Sequence, residues 1–467
     1  MKRRVFLFSF ILSSISFIGG YLLKMFGLER DKEMLNTDLA GKSVCNVMEY
    51  GAIGDGKSHP LSEKFKTLVD AQAYYGKDFK GRQIAKSLND ELDLCAIRKA
   101  FNSDQTVIIL PASKKFIVNS SFSIADNKKI LNYATIKLIG FGEGGHIVGI
   151  NGNKNDMSEP DTVKNISWEG GIIDGNNISG VNGFGIEAAE DIYISNVKVI
   201  NCRRDEVKEG GRGITCHPGT RNVTVIGCHI INCSTGLDTG TKADSLMGVD
   251  TLKQRTRNIN FTECLVEKCE YSGFNIEQAN EPTNLSIISQ DVTVRSCQFV
   301  NCGSNWDRRG IINANKATNL NFIDCTIFND VNYPVDSVFR GSFHKSNITA
   351  KVQVDSFRHL VSAVPHKQVN GIDQGSKGLS GTMEENHFDI SLWWKNVKGA
   401  LIHTNDYTNQ SIDLMWKNYF VIKLYGGQQF NGNMVNGATH FTNTAEIHDV
   451  YNNRSVKFKF DSIKPLS

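Results

Sequence analysis

Asn222-Val223-Thr224-Val225-Ile226-Gly227-Cys228-His229-Ile230-Ile231-Asn232-Cys233 is one of four closely matched stretches. Asn258-Ile259-Asn260-Phe261-Thr262-Glu263-Cys264-Leu265-Val266-Glu267-Lys268-Cys269 repeats it, as does the stretch from Asp291 to Cys302. The stretch from Asn319 to Asp330 closes the clear run, and Asp191 to Cys202 is a degenerate earlier copy. In each copy apolar and polar residues alternate, as in Val223-Thr224-Val225, which is the period of a half-buried strand. The offsets between Cys228, Cys264, Cys297 and Cys325 are 36, 33 and 28 residues. A fixed pattern at variable spacing describes one coil repeated with loops of different length.

A further short strand opens with Gly and an apolar residue: Gly185-Ile186, Gly213-Ile214, Gly236-Leu237, Gly273-Phe274 and Gly310-Ile311. Three short strands per coil and no long amphipathic helix predict an all-β, right-handed parallel β-helix. Its coils stack at the inter-strand spacing of roughly 4.8 Å, so like residues form ladders. The cysteine columns are then interior ladders of small apolar side chains. The total of 11 cysteines is odd, which forbids complete internal pairing, and the Cys-x4-Cys spacing is not a zinc signature. Reduced, buried thiols are expected, with no metal or cofactor. Asn232 and Asn301 fit turn stacks.

Composition agrees with this. Of 467 residues, 42 are Gly and only 8 Pro, which suits many tight turns between hydrogen-bonded strands. The net charge of +3, from 52 basic and 49 acidic residues, gives no footprint for nucleic acid. Met1-Lys2-Arg3-Arg4 precedes an uncharged stretch from Val5 to Leu23. This reads as a cleaved export signal or a retained membrane anchor over residues 1–28, and Arg3-Arg4-Val5-Phe6-Leu7 is similar to the twin-arginine export motif. Either way the body is expected outside the cytoplasm, in the periplasm or facing it. The remaining divisions are a cap with first coils at 40–120, the β-helix at 121–350, and further coils or a β cap at 351–467.

The segment Tyr50-Gly51-Ala52-Ile53-Gly54-Asp55-Gly56, the helical Asp93-Leu94-Cys95-Ala96-Ile97-Arg98-Lys99-Ala100 and the strand Val107-Ile108-Ile109-Leu110-Pro111-Ala112 follow in order. Together they resemble the opening of the pectate-lyase-like superfamily, which includes polygalacturonases and phage tailspikes. The resemblance covers the opening and the repeats to about residue 350. It implies a helix, with Leu92, Cys95, Ala96 and Ala100 on its apolar side, capping the open end of the solenoid. Two departures are a long insertion before Glu91 and Asp93, and Ser113 in place of a glycine. The resemblance also implies a polysaccharide partner and a hydrolase or lyase acting on an acidic or complex glycan. A uronate-polymer epimerase and a non-catalytic glycan-binding or envelope-structural solenoid are the alternatives. The polygalacturonase set of catalytic motifs is not found in order.

Alternation along the Gly-opened strands places Glu187, Thr215, Asp238 and Asn275 in one outward column, with Asn313 after a one-residue shift. Ala189, His217, Gly240, Glu277 and Asn315 stand two residues further along. Asp238 and Glu277 then lie on adjacent coils about 8 Å apart, a spacing that suits an inverting glycosidase. Candidate catalytic residues are therefore Asp238, Glu277, His217 and Glu187. Arg212, Asn275, Arg309 and Arg340 are candidates for binding substrate. Each is set against the fact that outward solenoid faces are polar in any case. Past Lys351 the pattern loosens, and Trp393, Trp394, Trp416, Tyr419 and Tyr425 suit either packing or stacking on sugar rings.

Overall fold

The computed structural model describes residues 42–140, 145–152, 162–204, 210–217, 219–241, 256–278, 290–303, 310–362, 383–397, 401–404, 415–416, 418–425, 435–437, 443–449 and 454–460. The N-terminal apolar stretch and Arg309 lie outside them, as does the side chain of Glu277. Among the described residues no helix is long and apolar enough to cross a membrane.

The strands pair in parallel with the strand one coil away, so the chain is a parallel β-helix. The first repeat unit shows the register. Ile192, Val223, Ile259 and Val292 are successive partners, as are Ile194, Val225, Phe261 and Val294. Val199, Ile230, Val266 and Phe299 continue in the second ladder. All are buried, and they form one continuous interior with Trp168, Phe184, Phe274, Phe322 and Phe339. Identical strand periods stacked without slip are what a buried apolar face demands, because a one-residue shift would turn every core residue outward.

The 11 cysteines are all free and buried. In the column from Cys228 to Cys325, the Cys264 backbone N–H donates to Cys297 Sγ at 3.4 Å. Burial pushes the Cys216 and Cys228 thiols up, so they sit as neutral packing groups. The asparagines at the bends take left-handed backbone conformations, among them Asn222 (φ 56°), Asn232 (φ 56°) and Asn258 (φ 54°). Their amides bond from coil to coil: Asn258 Nδ2 to Asn222 Oδ1 at 2.9 Å, Asn222 Nδ2 to Asp191 Oδ1 at 3.0 Å, and Asn232 Nδ2 to Asn201 Oδ1 at 2.7 Å. Asparagine tolerates this conformation and its amide both donates and accepts, so a stack of them satisfies itself.

The helix Leu92–Phe101 closes the N-terminal end, with Leu92, Cys95, Ala96, Ala100 and Phe101 buried. Asp93 is the bolt of this cap. Its Oδ1 accepts from the backbone N–H of Ile53 at 2.7 Å and Gly54 at 3.1 Å, and its Oδ2 accepts from Ile117 at 2.9 Å. The loop that opens the fold is thereby tied to the helix and to the strand Lys115–Val118 at one carboxylate. Glu91 does the same for the insertion, accepting from Ser58 Oγ and from the His59 backbone, both at 2.7 Å. Ser113 holds φ 64°, a left-handed conformation that glycine adopts with less strain.

From residue 310 several strands are longer, Gly310–Thr318, Asn321–Asn329 and Val335–His344 among them. Asn347–Ser362 is one strand of 16 residues, whose first part pairs with His387–Val397 and whose end pairs with Ile402–Thr404. Parallel pairing continues through Tyr419–Leu424 to Asn443–Asp449, and Arg454–Phe460 then adds antiparallel to it. Trp394 is buried in the core. Trp393 and Tyr425 instead stack on each other outside it, centroids 4.7 Å apart and planes at 15°.

Candidate functional site

The third ladder runs through His146–Asn151, Asn182–Glu187, Arg212–Cys216, Thr235–Thr241, Ser272–Gln278, Gly310–Thr318 and Val335–His344. Glycine stands second in four of these strands because the second ladder crowds them. A Cβ would stand 2.3 Å from Val199 at Gly183, 2.5 Å from Ile230 at Gly213, 2.3 Å from Val266 at Gly236 and 2.5 Å from Phe299 at Gly273. Those four glycines are one structural column, and they set the register.

That register corrects one expectation. Gly183-Phe184, not Gly185-Ile186, aligns with Gly213-Ile214, since Phe184 pairs with Ile214 and Gly185 with Thr215. The column is therefore Gly149, Gly185, Thr215, Asp238, Asn275, Asn313 and Arg340, and Glu187 belongs two residues further along with Asn151. Two Gly-apolar pairs occur in the Asn182–Glu187 strand, and only crowding by Val199 distinguishes them. The shift that brings Asn313 opposite Asn275 is present. Gly240 pairs with Glu277, so Glu277 stands two residues past the partner of Asp238.

Asp238 is the acceptor at the centre of the column. Its Oδ2 takes a hydrogen bond from Thr215 Oγ1 at 2.6 Å and lies 3.0 Å from Arg212 Nε, and its Oδ1 accepts from Asn275 Nδ2 at 2.6 Å. Asn313 Nδ2 in turn donates to Asn275 Oδ1 at 2.6 Å. Every donor in this chain points towards Asp238, which is 1% exposed. Such a carboxylate, buried and with both oxygens taken up by donors, suits fixing Arg212. Arg340, next in the column, is 3% exposed and its Nη1 lies 3.5 Å from Asp336 Oδ2. Its guanidinium is thus buried beside Asp336.

The second group of polar side chains gathers over the glycines. His146 begins its strand opposite Asn182, and its ring fills the space beside Gly185, where a Cβ would be 2.2 Å from the ring. His146 Nε2 is 3.7 Å from Glu187 Oε1, and the rings of His146 and His217 are 6.0 Å apart. His217 continues from the Arg212–Cys216 strand, its backbone N–H donating to Ile186 at 2.7 Å. The structure thus joins Glu187 and His217 through His146, and joins Arg212, Asp238 and Asn275 separately beside them. His146 and Asn182 escaped sequence reading because neither repeats from coil to coil. The paired glycines Gly149 and Gly185, which leave that face flat, were the available signal. Among the described residues no group of three or more His, Cys, Asp or Glu side chains is arranged to hold a metal ion.

No protein-family model matches the sequence, and no curated protein is found similar to it. Solved structures do match. The surface adhesin PfbA of Streptococcus pneumoniae superposes with a TM-score of 0.54 at 11% identity, over 87% of this chain and 90% of that one. The fold is a right-handed parallel β-helix. The tailspike gp49 of Pseudomonas phage LKA1 matches at 13% identity and TM-score 0.36, over 85% of this chain and 84% of that one. The A-module of the mannuronan C-5 epimerase AlgE6 of Azotobacter vinelandii matches at 14% and 0.41, over 84% and 98%. Within this β-helix the polar face described above lies on one of the three ladders, and its residues come from separate coils. One fold of this kind carries many chemistries, so the face itself must supply any functional argument.

Proposed function

We propose that the protein is a polysaccharide-active enzyme working outside the cytoplasm, a hydrolase or lyase of an acidic or complex glycan. The observation that carries this reading is the convergence of His146, Glu187 and His217 over Gly185 on one outward ladder. An extended chain can lie along such a face and meet side chains from successive coils. Two imidazoles and a carboxylate provide the proton donors and acceptors that cleavage of a glycosidic bond needs near neutral pH. Arg212, fixed by Asp238, supplies positive charge beside them, suited to a uronate carboxylate. Glu277, placed by register on the same row as Glu187, is the further acid–base candidate, and Asn275 serves by holding Asp238. An epimerase of uronate polymers would use the same groups.

The second reading is a glycan-binding or structural solenoid without turnover. It is favoured by the self-contained bonding of the Thr215–Asp238–Asn275–Asn313 ladder, which would be as useful for holding the coil as for holding a ligand. A panel of acidic and neutral polysaccharides separates the two. New reducing ends, unsaturated-uronate absorbance or altered uronate NMR signals are expected with the intact protein. Glu187→Gln and His217→Ala should each lower the rate at least a hundredfold while leaving the melting temperature within a few degrees. Binding across the panel without any product would establish the glycan-binding form of the second reading, and neither binding nor product would leave only a structural solenoid.

A further inference from the structure

We propose that His146 and Glu187 form a subsite that reads a neutral sugar hydroxyl, with Asn182 as the positioning residue that fixes where the His146 proton lies. This rests on the reading of the face as polysaccharide-binding and adds what kind of group it recognises. The chain of logic starts at a backbone amide. The Arg212 N–H can only donate, and it donates to Asn182 at 2.9 Å, so the side-chain atom facing it is the carbonyl oxygen Oδ1. The other arm of Asn182 is therefore the NH2 group. It lies 3.0 Å from His146 Nδ1, which must accept. In the neutral ring the proton is then on Nε2, the nitrogen directed at Glu187.

Nε2 and Glu187 Oε1 are 3.7 Å apart, too far for a direct hydrogen bond. One oxygen atom placed between and beside them can bond to both, provided that it accepts from Nε2–H and donates to the carboxylate. A hydroxyl does both. A carboxylate or sulfate oxygen has no proton to give and would bring its charge against that of Glu187. The side chains of His146 and Glu187 are 15% and 10% exposed, so the pair is mostly buried but still reached by solvent. Gly185 leaves room for the ring, because any side chain there would displace it.

The test is the protonation site of His146 in the full chain, read from imidazole 15N shifts and assigned with His146→Gln. The expected result is a proton on Nε2 and a bare Nδ1. In Asn182→Asp a carboxylate faces Nδ1, and the proton should move there. A proton on Nδ1 in the unmodified protein overturns the proposal, as does an unchanged tautomer in folded Asn182→Asp. Glycerol and acetate then serve as probes. Glycerol should shift the Nε2 signal and acetate should not, and Glu187→Gln should weaken the glycerol response about tenfold. A larger response to acetate also overturns it. A glycerol response with no glycan bound in the polysaccharide panel instead sinks the polysaccharide reading and leaves the hydroxyl subsite standing.

Discussion

Asp238 decides how much of the site is architecture. A carboxylate that accepts from Thr215, Asn275 and Arg212 and is 1% exposed leaves its partners stranded when removed. Asp238→Ala should cost about 3–5 kcal/mol, since Arg212 loses its counter-charge in a site where its side chain is only 12% exposed. Asp238→Asn keeps the shape and one good acceptor, and should cost about half as much. Denaturant unfolding of the two variants checks the order. Equal, small losses would show that the ladder adds nothing to the coil. Sequence pattern was enough to put Asp238 beside Thr215 and Asn275, because alternation and the glycine column are periodic. Its pairing with Arg212 was not readable, since Arg212 lies three residues from Thr215 and across the Gly213 crowding point. His146 was invisible for the same reason in stronger form: its position over Gly185 is a contact between coils with no echo elsewhere in the chain.

At the scale of a strand, charge pairs on the outer face tie neighbouring coils, and one has a clear pH signature. Arg221 Nε lies 2.8 Å from Glu190 Oε1 and its Nη2 donates to Glu190 Oε2 at 2.9 Å, a two-pronged contact between adjacent strands. The Arg221 guanidinium holds the Glu190 carboxyl below the ordinary glutamate range, with Lys164 adding to it at 3.4 Å. Because the folded value is depressed, the stabilisation is present above the unfolded value near 4.3 and is lost as pH falls through the folded one. Both side chains are about one-fifth exposed, so solvent reduces the worth to about 0.5–1 kcal/mol. Glu190→Gln should therefore be less stable than the parent at pH 7 by that amount and indistinguishable from it at pH 3, as judged by urea midpoints. A constant difference across that range would place the effect in packing. Strands of this kind were the most legible part of the sequence. The alternation of Val223, Val225, Ile259 and Phe261 marks the face they bury, whereas the long strand Asn347–Ser362 has no Gly or Pro, and only Asp355-Ser356 inside it, to mark where one ladder passes into the next.

The whole molecule poses a question of compartment. Its interior holds 11 free cysteines, eight of them in two columns running from Cys202 to Cys302 and from Cys228 to Cys325. In the folded solenoid these thiols are inert: they are buried, and Cys95 is pushed up to about 12 by desolvation. In an unfolded chain they would be exposed and, in an oxidising compartment, free to pair in many wrong ways. A β-helix is also slow to assemble, because each coil closes loops of some 30 residues before its strand edges are satisfied. An exported protein of this composition avoids mispairing if it folds before it leaves, and the Arg3-Arg4-Val5-Phe6-Leu7 segment suits the twin-arginine route, which carries folded cargo. The expectation is that Arg3→Lys with Arg4→Lys retains the protein inside the cell, folded and with all thiols reduced. Periplasmic fractionation and thiol alkylation under denaturing conditions report both. Normal export of the double variant would mean that the thiols cross unfolded, and mixed disulfides in the exported chain should then appear, because nothing in the sequence of coils prevents Cys228 from meeting Cys302 before it meets Cys264.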